Sequence, residues 1–96
     1  MDYKMIADYF ATPLSTVTIQ DNGFLIEEDG TYLSFIHTPS YIFVIDGVKA
    51  GKLHRSVSRT YPAHLDTSTF IAMLREDLEK MDTKLQEKLE QACLTL

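Results

Sequence analysis

The side chains that could do chemistry are few and scattered: Cys93, the histidines His37, His54 and His64, and the acidic run Glu27-Glu28-Asp29. A thiol nucleophile needs a nearby base and a confined site. Cys93 lies close to the end of the sequence on an expected helix, where neither is at hand, so it reads as a structural thiol. The three histidines are widely spaced and match no zinc-ligand pattern. Glu27-Glu28-Asp29 falls at a turn between two strands, where solvated charges guard a hairpin against wrong pairing more readily than they hold a hard cation. The segment Gly47-Val48-Lys49-Ala50-Gly51-Lys52 superficially suggests a phosphate loop. It is one residue short, has Leu53 where Ser or Thr should follow the lysine, and precedes no helix. No catalytic, cofactor or metal site is expected, and the chain is not expected to be an enzyme.

Charge is segregated within the total of −5. Residues 48–64 carry Lys49, Lys52, Arg55 and Arg59 and no acid, while the segments on either side are acidic. Four cations could follow a phosphate track, but both flanks would repel a polyanion and no recognition helix is present, so nucleic acid is not the expected partner. An acidic patch on another protein would suit the same cations. The single cysteine excludes an internal disulfide and points to a reducing compartment. There is no leader-like start and no apolar run long enough for a bilayer, so a cytoplasmic protein is expected.

The elements that must position these residues follow from periodicity. The 96 residues suffice for one domain. Residues 1–12 hold a short helix: Met5, Ile6, Tyr9 and Phe10 recur at helical spacing, Asp2 can cap it, and Thr12-Pro13 stops it. Residues 14–60 are expected to form an antiparallel β-meander. Alternation over Leu14–Gln20 gives its first strand, and Asp21-Asn22-Gly23 offers the positive-φ residues of a tight turn. Phe24–Glu28 and Thr31–His37 follow, joined at Asp29-Gly30. The apolar run Tyr41–Asp46 predicts a fourth strand buried on both faces, turning at Asp46-Gly47 into a weaker basic strand around Leu53–Arg59. Tyr61-Pro62 marks the exit from the sheet; a cis bond there would make this segment a ligand for a prolyl isomerase.

Residues 66–94 are helical in period, with Asp66 or Thr67 as cap and Ile71, Leu74, Leu78, Met81, Leu85, Leu89 and Ala92 stepping by three or four. The phase passes Met81 and Leu85 without a slip, predicting a continuous or merely bent helix. Asp82-Thr83 with Gln86 would otherwise cap a second helix and break the segment near Asp82. A helix from Thr67 to Leu94 is roughly 42 Å long. A domain this small hides only roughly 60–65% of its chain surface, and the expected sheet ends before Leu85. Phe70, Met73, Cys93, Leu94 and Leu96 add apolar surface outside the stripe. The expectation is therefore an α+β domain whose second helical half, Leu78, Met81, Leu85 and Leu89, docks in a groove of another protein. Lys49, Lys52, Arg55 and Arg59, with Tyr61 and Pro62, supply a second contact.

In size, acidity and sheet-plus-helix layout the chain resembles the small proteins with which bacteriophages redirect host enzymes, such as anti-CRISPR and anti-RecBCD proteins. That resemblance implies a cytoplasmic, non-catalytic module that binds a larger host protein, a nuclease complex in particular, and inhibits or redirects it. The same layout is similar to that of bacterial secretion chaperones, which implies a small acidic homodimer instead.

Overall fold

A computed structural model describes residues 1–94. The order is α1 (Tyr3–Phe10), β1 (Thr16–Gln20), β2 (Gly23–Glu28), β3 (Thr31–His37), β4 (Tyr41–Ala50), β5 (Leu53–Pro62) and α2 (Thr67–Leu94). The five strands form one antiparallel sheet in sequence order, the α+β meander that alternation and turn chemistry predict. Asp29 (φ 48°) and Gly30 (φ 81°) take the positive φ values of the β2–β3 turn. The β1–β2 turn needs none. Gly23 is required there for close approach: a Cβ would stand 1.8 Å from the Phe35 carbonyl oxygen across the ladder.

The expected turn at Asp46-Gly47 does not form. β4 runs straight through it to Ala50, and the chain reverses at Gly51 (φ 61°). Gly47 serves the strand interior, because the Tyr32 ring lies over its bare Cα where a Cβ would collide. β4 and β5 are thus ten residues each, about 33 Å of ladder, and this length changes what α2 can cover.

α2 is unbroken and matches the 42 Å long axis of the molecule. Asp66 caps it, accepting from Thr69 N–H at 2.7 Å. That contact holds the Asp66 carboxyl below the usual carboxylate range. Thr83, instead of starting a second helix, donates its hydroxyl to the Glu79 carbonyl. α2 lies on β5 and β4, and α1 lies on β2 and β1, so both helices occupy one side of the sheet. The core between them joins Phe24, Phe35, Ile42, Val44, Val57 and Tyr61 of the sheet to Ile6, Phe70, Leu74, Met81 and Leu85 of the helices. Phe35 stacks on Phe24 and meets Phe70 edge-on. α1 is rotated from its expected phase: Ile6 and Ala7 face inward, and Met5 and Tyr9 are exposed.

Candidate interaction surfaces and an acid pair

The helix stripe expected to dock a partner is consumed by the fold. Met81 and Leu85 are 4% and 5% exposed, and Leu78 and Leu89 pack against the same core. The long β4–β5 hairpin extends beneath them, so the anticipated overhang does not arise. Phe70, expected outside the stripe, is fully buried; Met73, Cys93 and Leu94 are exposed, and Leu96 lies outside the described residues.

The basic island does not form one patch either. Arg59 is held 2.8 Å from Asp77, and Tyr61, buried beside it, donates its hydroxyl to the other oxygen of Asp77 at 2.7 Å. Burial, with the Asp77 carboxylate, pushes the Tyr61 phenol up. Strand alternation sends Lys49 and Arg55 to opposite faces, and Lys52 sits in the β4–β5 turn. Every peptide bond among the described residues is trans, Tyr61-Pro62 included; Pro62 is exposed at the end of β5.

His37 and His54 hold up local structure, and His64 is exposed. The Ala63 carbonyl can only accept, so Nε2 of His37 carries the hydrogen and donates to it at 2.8 Å, while the Tyr3 hydroxyl lies 2.9 Å from Nδ1. His54 Nε2 meets the Tyr32 hydroxyl at 2.7 Å. Among the described residues no three His, Cys, Asp or Glu side chains gather in a metal-holding group.

A feature that periodicity did not reveal lies between β4 and α2. Asp46 occupies a helix-facing position in register with Ile42 and Val44, and with Asp82 of α2 it lines a cavity of about 220 Å³. One of its oxygens, Oδ2, is buried without a hydrogen-bond partner. A carboxylate beside a half-buried carboxyl disfavours its ionisation. Burial, reinforced by Asp82, pushes Asp46 up to about 8, which favours one proton held by the pair over two charges. Glu28, on the same cavity, is held by the hydroxyls of Thr12 and Ser15. The cavity is smaller than the ~300 Å³ at which small-molecule sites begin. The available signal was an acid at an apolar-phase position on each element.

The far side of the sheet carries the larger surface. Cα pairing aligns three rows across the strands: Thr18-Leu25-Ser34-Ile45-Ser58, Gln20-Gly23-Ile36-Phe43-Thr60 and Thr16-Glu27-Tyr32-Gly47-Ser56. Leu25, Ile36, Phe43 and Ile45 belong to no part of the core and no helix covers them; the run Tyr41–Asp46 is buried on one face, not both. Glu27 is the one charged residue in these rows. Taking strand and residue spacings, the rows span roughly 24 by 20 Å, or about 480 Å² of plane.

The first edge of the sheet is also open. All five residues of β1 are exposed and uncharged. Comparison of the chain with known protein families, with curated proteins and with solved structures finds no match, so the geometry carries the functional reading.

Proposed function

We propose that this protein is a non-catalytic interaction module that covers a surface of a larger partner protein, and so changes its activity, through the open face of its sheet. The observation that carries this reading is the contiguous set Leu25, Ile36, Phe43 and Ile45 on a nearly charge-free face that neither helix touches. In a chain of net charge −5 the acids other than Glu27 lie off these rows, leaving one open area of low charge and high apolar content. Its extent is of the order of the ~800 Å² that each partner contributes to a specific interface. The breadth of the face favours a protein over a small molecule, which is held in a concave site. The lack of cations in the three rows, with Arg59 neutralised by Asp77, argues against nucleic acid. The partner surface that fits is apolar at its centre, with donors and acceptors around it to meet the hydroxyls of Thr18, Ser34, Ser58 and Thr60.

The experiment compares the wild type with Ile45→Lys as bait, and with Glu79→Lys on the outer side of α2 as control. The partner captured by wild type is then purified and titrated against all three. A loss of at least tenfold in affinity for Ile45→Lys, ~1.4 kcal/mol, with none for Glu79→Lys, supports the open face. Equal binding by wild type and Ile45→Lys removes that face from the function.

A further inference from the structure

The sheet has two edges, and they are finished differently. On β5, the carbonyl of Ser56 accepts from Lys88 Nζ at 2.8 Å and that of His54 from Arg55 at 2.9 Å. Arginines and a terminal proline complete the protection, the usual means of blunting an edge. β1, Thr-Val-Thr-Ile-Gln, has none of these devices.

Ladder parity identifies which β1 groups are open. His37 N–H bonds the Asn22 carbonyl, so the even-numbered residues of β2 bond β3 and the odd ones bond β1. By the register Gly23↔Gln20, Leu25↔Thr18 and Glu27↔Thr16, it is Thr16, Thr18 and Gln20 that bond inward. Val17 and Ile19 therefore present both N–H and C=O outward. Their side chains, on the helix side where α1 covers β1 only in part, are 36% and 47% exposed.

We infer that β1 pairs antiparallel with β1 of a second copy of this chain, about a two-fold axis at Thr18, joining two five-stranded sheets into one of ten. The axis places Val17 opposite Ile19 of the other copy, so the outward groups of both residues meet in two closely bonded pairs, four main-chain hydrogen bonds in all. The apolar side chains that α1 leaves uncovered pack against each other across the seam. Thr18 meets its own copy, a favourable cross-strand pair. The charge pattern suits a second copy: β1 has no charged residue, and the nearest acid, Asp21, falls opposite Ser15 rather than another acid, so a chain of net −5 meets itself without like charges in register. A ladder of five residues, ~17 Å long, lies at the small end of interfaces and suits a reversible dimer with a dissociation constant of micromolar order. The inference uses the edge and is independent of what binds the open face.

Sedimentation velocity of the full chain from ~0.1 μM to ~100 μM tests it, a range that brackets an affinity of micromolar order. Wild type is expected to pass from monomer to dimer. Ile19→Pro removes an outward N–H and no bond to β2, so it is expected to keep the far-UV circular dichroism of the wild type and weaken dimerisation at least tenfold. Thr18→Lys and Thr18→Glu are expected to be monomeric separately and to form a mixed dimer together, whereas Ile45→Lys dimerises like wild type. A wild type that stays monomeric throughout overturns the inference. So does a dimer that folded Ile19→Pro leaves intact, or one that Ile45→Lys abolishes, which would place self-association on the open face.

Discussion

Replacing Asp46 with Asn isolates the energetic cost of the acid pair. In the folded protein the Asp46 carboxyl is pushed from 3.8 up to about 8, mainly by burial. Between those values the folded chain holds a proton that the unfolded chain has released, so stability falls as pH rises across this window and is highest toward its acid end. Taken whole, four pH units at ~1.36 kcal/mol each set a ceiling of roughly 5–6 kcal/mol. The carboxyl is only half-buried and borders a cavity, and solvent screening there brings the expected cost to about 2 kcal/mol. Asn cannot ionise and keeps a donor for Asp82. Urea unfolding at several pH values should therefore find Asp46→Asn more stable than wild type by about 2 kcal/mol near pH 8.5, with the two converging near pH 4. Parallel curves for the two proteins would refute the account of Asp46 as a proton held by burial.

Two further outcomes follow from packing. Leu85→Glu puts an unpaired carboxylate into the core of a molecule where Leu85 is 5% exposed and should cost about 4 kcal/mol or more, read as loss of cooperative unfolding; normal stability would return the helix stripe to the surface. Gly23→Ala drives a Cβ into the Phe35 carbonyl and should lower stability by about 3 kcal/mol in denaturant titration, whereas a neutral result would show that β2 and β3 are farther apart at that point.

Most of the fold was legible because local chemistry and global structure agree. Asp2 and Asp66 cap where expected, Asp29-Gly30 turns, and the α2 stripe keeps one phase from Leu74 to Ala92. One misreading propagated. Asp46-Gly47 has the composition of a hairpin turn, but its glycine serves the Tyr32 ring and its aspartate faces Asp82. Cutting β4 there shortens the sheet by four residues, leaves α2 overhanging and turns a core stripe into a docking stripe. The site was less legible because sheet faces are defined by pairing. Leu25, Ile36, Phe43 and Ile45 become neighbours only once the register is set, and residues on either face of β4 look equally apolar in sequence. The difference between the two sheet edges likewise depends on Lys88 reaching Ser56, a contact between residues remote in sequence.

The central claim is that the apolar surface available to a partner protein lies on the sheet rather than on α2. Methyl NMR of the protein titrated with its purified partner tests this most directly. The account predicts that the methyl signals of Leu25, Ile36 and Ile45 shift or broaden while those of Leu78, Leu85 and Leu89 hold; perturbation centred on the α2 leucines, with the sheet methyls unchanged, would contradict it.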